Sequence, residues 1–191
     1  MDATQDILIA FGANLPLAGE LPEVTLRKAI AELPAEGVEI VEKSRLFITP
    51  CFPEGAGPDY VNGALRCRTE KTPVEILSIL HKVEERFGRK RPMAAGRWAG
   101  RTLDLDLIAV GNHVLPDRAT VGQWIDLPIS DQMTLAPEQL ILPHPRIQDR
   151  AFVLVPLCEV AAGWKHPILG KSVAELCAQL PKMAKNKVVA V

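Results

Sequence analysis

The sequence predicts an α+β fold: an antiparallel or mixed sheet covered by helices, in the manner of a ferredoxin-like α/β plait. Three observations point there. Apolar, β-branched runs alternate with helical periodicities along the chain. The Gly111-Asn112 pair offers a two-residue hairpin turn, which a purely parallel sheet does not use. The 191 residues contain no internal repeat, composition shift or low-complexity tract, so they read as one domain over 1–191.

Residues 5–11 (QDILIAF) are a short apolar run ending at Gly12 and read as a buried strand. Residues 22–33 read as a helix. Pro22 fits a first helical turn, and Leu26, Ala29, Ile30 and Leu33 form the apolar stripe. Residues 38–48 are rich in β-branched side chains and read as one strand. The prolines and glycines of 49–58 make a loop. Residues 60–69 alternate, with Val61, Leu65 and Cys67 on one face and Asn62, Arg66 and Arg68 on the other, as in a half-exposed strand.

Thr72-Pro73-Val74-Glu75 is a capping box. The helix it opens runs through Ile76, Leu80 and Val83 and stops at Gly88. A basic loop occupies 88–100, and 101–110 reads as a strand that turns at Gly111-Asn112 into a partner at 113–115. Residues 117–139 are ambiguous, with weak helical signals near 120–125. Residues 151–160 read as a helix, and Ser172-Val173-Ala174-Glu175 caps a last short one to Leu180; the tail from Pro181 reads as loose.

Composition narrows the function classes. A net charge of −1 argues against a nucleic-acid coat protein, which carries a strong basic excess. No run approaches the ~20 apolar residues of a membrane span, and the start, Met-Asp-Ala-Thr-Gln-Asp, is no basic signal sequence, so a cytoplasmic location is expected. Cys51, Cys67, Cys158 and Cys177 show neither Cys-x-x-Cys nor zinc spacing and are expected as reduced, mostly buried thiols.

The charge is uneven. Residues 82–101 hold seven Lys or Arg and two Glu, a local +5 that leaves −6 for the remainder. Such a focus inside a mildly acidic chain suits a small anion site; a solvated basic loop would look the same.

Leu103-Asp104-Leu105-Asp106-Leu107 has period two, leucines on one face and aspartates on the other. On a strand the two carboxylates lie roughly 6.5–7 Å apart on one side and repel when both are ionised. A shared proton, arginines or divalent cations must offset that. Oxygen-only ligands favour Mg²⁺, which takes one or two carboxylates and completes its shell with phosphate and water. The polar face of an ordinary strand is the plain alternative, but Asp is depleted in strands. Arg97, Trp98 and Arg101 flank the pair. Metal, guanidinium and carboxylate together suit a nucleoside triphosphate. No Walker A sequence is present, so a P-loop does not hold the phosphates. Leu142-Pro143-His144-Pro145-Arg146, with Arg150, is a stiff turn whose His and Arg suit phosphate; incidental surface charge is the alternative.

At this point the sequence resembles the 6-hydroxymethyl-7,8-dihydropterin pyrophosphokinases of folate synthesis, from about residue 7 to 180. The resemblance is carried by IAFGANL (9–15), SRLFITP (44–50), PDYVNGA (58–64), VEERFGRKR (83–91), RWAGRTLDLDLI (97–108), LPHPR (142–146) and DRAFVLVPLCEVA (149–161). The succession RTLDLDL, PHPR, RAFVL is the specific part. The resemblance implies transfer of pyrophosphate from ATP to the pterin hydroxymethyl oxygen, with AMP released.

It further implies that Asp104 and Asp106 hold two Mg²⁺ ions on the triphosphate. Arg97 and Arg101 would stabilise the transferring group, and Arg89 and Arg91 would reach in from a loop that closes over ATP. His144 and Arg150 match ATP-phosphate positions; His81, Glu84 and Leu107 match positions at its nucleoside end. Thr49, Pro50, Phe52, Tyr60, Asn62, Trp98 and Phe152 match pterin positions. Asn62 would read the pterin edge, because its amide both donates and accepts. Tyr60 and Phe152 would sandwich the ring, though an aromatic in this setting is ordinarily core. Glu84 lies on the apolar stripe of its helix, where a buried carboxylate needs a partner, and an arginine is expected.

The sequence departs from the family at Ala99-Gly100, where Gly-Pro is usual, at Phe52-Pro53, and in a basic loop about two residues longer. The largest departure is an insertion of roughly twenty residues at 117–139, either at the surface or over the ATP site. The expected partners are the small molecules ATP and pterin, with neither nucleic acid nor membrane, and a monomer is compatible with this. Two other readings stay open: another Mg²⁺-dependent phosphoryl or nucleotidyl transferase, and a nucleic-acid-binding plait using 82–101.

Overall fold

The structure, a computed structural model, describes residues 4–51, 55, 57–89, 100–128, 131 and 134–191. Most of the basic loop, with Arg91, Arg97 and Trp98, lies outside the described residues, as does Phe52.

Strand β1 (Gln5–Ala13) is apolar on both faces because it runs down the middle of the sheet. β4 (Tyr60–Thr69) pairs antiparallel on one side of it and β5 (Asp104–Val110) on the other. β2 (Glu39–Lys43) and β3 (Phe47–Thr49) both pair with β4, and β6 (Val189–Ala190) pairs with β3. All these pairings are antiparallel, so the mixed alternative does not arise. Helices α1 (Pro22–Glu32) and α2 (Pro73–Arg86) complete the succession β1-α1-β2/β3-β4-α2-β5 of a ferredoxin-like plait.

Alternation divides the sheet between two cores. Ile7, Ile9, Phe11, Leu65, Leu105 and Leu107 face α1 and α2. Leu8, Ala10, Ala64 and Ile108 face α4 (Ala151–Ala161) and α5 (Val173–Gln179). Each fully buried Leu or Ile contributes about 2 kcal/mol of transfer free energy. α4 forms despite its Val content and an internal Pro156, because its Val153, Leu154 and Leu157 pack into this second core. Both capping boxes are formed: Thr72 with Glu75, and Ser172 with Glu175. Each cap is worth about 1 kcal/mol.

Several expectations need correction. The predicted strand 38–48 is two strands, because the Ser44 hydroxyl accepts the Ala64 N–H (2.9 Å) where a ladder carbonyl would, while donating to the Arg45 carbonyl. The strand predicted from Arg101 begins at Asp104, because residues 101–102 bond to Asn14 and Phe87 instead. The turn at Gly111 exists, but no hairpin partner follows it: Leu115 pairs with Leu142, and the edge of β5 receives the His144 N–H on the Ile108 carbonyl (2.8 Å). β4 is less exposed than its alternation implies: only Tyr60, Arg66 and Arg68 are not buried, and Ala64 packs in the α4 core. The loose tail is ordered: α6 (Lys182–Asn186) leads into β6, which occupies the otherwise open edge of β3.

All four cysteines are free thiols; Cys51 and Cys67 are buried, Cys158 and Cys177 partly so. Cys51 is more than a loop residue, its Sγ both donating to and accepting from Gly57. Among the described residues, no helix is long and apolar enough to cross a membrane. The ambiguous 117–139 segment contains α3 (Arg118–Asp126), capped by Asp117 and tied by Arg118 to the Pro167 carbonyl (3.1 Å). It therefore leaves from the Val110 end of β5, six residues and about 20 Å from Asp104.

Candidate active site

The site is built on the sheet face that carries α4. Gly12 on β1 is opposite Asp104 on one side and Asn62 on the other. Even-numbered residues of β4 and β5 share that face, so Asp104, Asp106, Asn62 and Tyr60 emerge together.

Asp104 is enclosed by guanidinium groups. Arg101 donates to one of its oxygens, and Arg89 donates to the other at 2.5 Å. Burial and the neighbouring Asp106 push the Asp104 carboxyl above the usual carboxylate range, while Arg101 and Arg89 pull against that rise. Arg150 approaches Asp106 at 4.0 Å. These arginines are thus the counter-charge of the aspartate pair. The tandem carboxylates remain a small, oxygen-only anion on a strand. Among the described residues no cluster of three His, Cys, Asp or Glu could hold a metal ion. A hard cation here would take one or two carboxylates and find its other ligands in phosphate and water, which is how Mg²⁺ is usually held.

Glu84 finds the expected arginine. Its side chain is 1% exposed, and it accepts from Arg89 and from the Leu105 N–H (2.8 Å). The positive φ of Gly88 ends α2 and turns the chain back, which sets Arg89 beside Glu84 and Asp104. Glu84 therefore supports Arg89 and β5 from within, rather than presenting its carboxylate to solvent. Leu107 points into the α1/α2 core, so only its backbone, on the outer edge of β5, is offered to a ligand. His81 is half-buried on α2, the helix that packs against β5.

His144 is held by its own N–H on the Ile108 carbonyl, and its Nδ1 accepts the Arg146 N–H (3.1 Å). Nε2 therefore carries the proton. Burial, helped by the Arg150 charge, pushes its pKa down to about 3, so His144 is a neutral donor at physiological pH.

On the far side of Gly12, the Asn62 amide is 6% exposed and donates to Thr49 Oγ1 (2.7 Å). Thr49 is paired with Tyr60 across β3 and β4. Burial raises the Tyr60 pKa, so the phenol keeps its proton. Phe152 at the start of α4 is 39% exposed, with the Arg150 guanidinium 5.7 Å from its ring centroid. An exposed phenyl ring at a polar site is free to stack, which answers the expectation that it is core. Pro50 follows Thr49 directly.

Two residues were missed by the sequence reading. Gly12, with no side chain, gives no pattern of its own; a Cβ there would come within 2.4 Å of Asn62 Oδ1. Asn14, in the same segment, is 4% exposed and bonds to residues 44 and 87 positions away. The Gly-Ala-Asn signal was visible, but its partners were not.

Comparison with known proteins identifies relatives over most of the chain. The family model of 7,8-dihydro-6-hydroxymethylpterin-pyrophosphokinase matches residues 8–162. A 2-amino-4-hydroxy-6-hydroxymethyldihydropteridine pyrophosphokinase of Synechocystis is 36% identical over 172 residues, covering 88% of this chain and 76% of that protein. Its namesake in Pseudomonas aeruginosa is 32% identical over 177 residues, covering 93% of each. A crystal structure of Plasmodium falciparum HPPK-DHPS with pteroate has the same fold, with a TM-score of 0.63 at 12% identity. That match covers 93% of this chain but 43% of the larger one, so the present chain spans under half the length of that protein.

Proposed function

Since the chain belongs to the 7,8-dihydro-6-hydroxymethylpterin-pyrophosphokinase family, we propose a division of labour among its residues for that family's reaction. The enzyme transfers pyrophosphate from ATP to 6-hydroxymethyl-7,8-dihydropterin in folate biosynthesis, giving the pterin diphosphate and AMP. The observation that carries the division is the row Asp104–Gly12–Asn62: a phosphate half on β5 and a pterin half on β4, separated by one strand with no side chain between them.

On the phosphate half, Asp104 and Asp106 would hold two Mg²⁺ ions, whose chemistry is to neutralise the triphosphate and fix its geometry. Arg89 and Arg101 already flank Asp104 and are placed to transfer their hydrogen bonds to phosphate oxygens once a cation occupies the carboxylates. Arg150 and the neutral Nε2–H of His144 approach from the α4 side. Arg91 and Arg97 belong to the same basic segment. The nucleoside end would lie along the outer edge of β5, against the Leu107 backbone and His81, with Glu84 acting through Arg89. On the pterin half, Asn62 and Thr49 read the hydrogen-bonding edge, while Tyr60, Phe152 and Trp98 enclose the ring and Pro50 and Phe52 border it. Catalysis on this reading is alignment of the hydroxymethyl oxygen with the β-phosphorus plus stabilisation of charge. The single domain 1–191 would carry this site, and α3, the helix of the 117–139 insertion, is tied by Arg118 to the Pro167 carbonyl, beyond the Val110 end of β5.

The test is the product. With Mg²⁺, ATP and the pterin, AMP is expected, and only when pterin is present; ADP or inorganic pyrophosphate in its place would sink the assignment.

A further inference from the structure

Asn14 stands where the central strand ends, between the two halves of the site. Its side chain has both ends engaged. Oδ1 accepts the Arg101 N–H at 2.7 Å, and Nδ2 donates to the Pro58 carbonyl at 3.1 Å. Its own main-chain N–H donates to the Arg101 carbonyl at 2.9 Å, beside that of Leu15 at 3.1 Å, so Asn14 bonds both backbone groups of Arg101. Arg101 carries the guanidinium on Asp104; Pro58 lies two residues before Tyr60 on the pterin strand. The amide is 4% exposed, so water competes little for these bonds.

We propose that Asn14 is a positioning residue that fixes the pterin half of the site relative to the phosphate half, through Pro58 on one side and Arg101 on the other. The proposal rests on the assignment of the two halves given above. A neutral amide is required because one contact needs an acceptor and the other a donor. Aspartate keeps the acceptor for Arg101 but faces Pro58 with a second acceptor. Alanine loses both contacts, so the Arg101 N–H and the Pro58 carbonyl are no longer tied to one side chain.

The variants should therefore differ in kind. Asn14→Asp is expected to raise the pterin KM about tenfold, with the ATP KM within twofold and kcat within threefold of wild type. Asn14→Ala is expected to raise the pterin KM similarly and also to lower kcat at least tenfold, because the Arg101 N–H loses its side-chain acceptor as well. A residue that merely supports the fold would lower the melting temperature and the active fraction without moving KM. Asn14→Asp with a pterin KM within twofold of wild type would overturn the proposal. So would the absence of folded protein from both variants, which would make Asn14 a folding residue. Failure of the reaction assignment looks different: wild-type chain that releases no AMP on adding pterin.

Discussion

Asp104 and Asn62 stand in one row across the sheet, each directly opposite Gly12 on the strand between them. The two halves of the site are thus separated by two strand spacings, about 9–10 Å. Asn62 leans over the middle strand, and Gly12 leaves it the room. Gly12→Ala would bring a methyl carbon within 2.4 Å of Asn62 Oδ1. The amide must then turn away from Thr49. The expected result is a pterin KM raised at least tenfold with ATP binding unchanged, read from steady-state kinetics and nucleotide titration. Overpacking should also cost roughly 1–3 kcal/mol, measured by urea unfolding.

Asp104→Ala and Asp106→Ala should each lower turnover by at least about 10²-fold, the scale of losing one electrostatic contact to the reacting group. Pterin affinity should stay within a few-fold, because Asn62 and Thr49 are on another strand. Comparable losses of binding and turnover would show the pair to be structural. Removing divalent cations with a chelator should stop wild-type turnover, and Mg²⁺ should restore it.

Glu84→Ala should destabilise the chain by roughly 3–5 kcal/mol, the range for breaking a buried ion pair from one side. The group removed is 1% exposed and serves both Arg89 and the Leu105 N–H. Glu84→Gln keeps an acceptor for Leu105 and should lose less. Arg89→Ala should reduce both turnover and stability, since it removes the guanidinium bonded to the buried Glu84 carboxylate. A position just past α2 would by itself suggest an effect on rate alone. Paired urea melts and kcat values separate these outcomes.

His166 predicts a pH dependence far from the active site. It is fully buried, its Nδ1 accepts the Ile168 and Leu169 N–H groups, and burial lowers its pKa from 6.5 to about 4. The folded state therefore holds the neutral form, while the unfolded chain takes up a proton below pH 6.5. Stability contributed by the neutral ring is whole above pH 6.5 and is lost as the pH falls from there to about 4. The loss amounts to about 3 kcal/mol. His166→Gln should flatten that slope in urea midpoints measured across the same window.

The insertion should be separable from catalysis. α3 docks through Arg118 onto the Pro167 carbonyl, at the end of β5 remote from Asp104. Arg118→Ala should leave both KM values within twofold and change stability by no more than about 0.5 kcal/mol, as for an exposed contact. A marked rise in the ATP KM would place the insertion over the nucleotide after all.

Local chemistry made much of this chain legible from its sequence. The capping boxes at Thr72 and Ser172, the stop at Gly88 and the alternation of 103–107 are short-range rules, satisfied within a few residues, and each appears where the spacing puts it. The order of motifs placed the chain in its family. Tertiary structure alone decided three things. One is the split at Ser44, which depends on Ala64 twenty residues away. Another is the pairing of the tail with β3, which depends on an edge being open. The last is the role of Asn14, whose partners lie 44 and 87 residues along the chain. Periodicity reports which face of an element is buried, because burial is a property of one side chain and the nearest turn. It does not report which distant carbonyl a buried amide will meet, because that is fixed only when separate strands come into register.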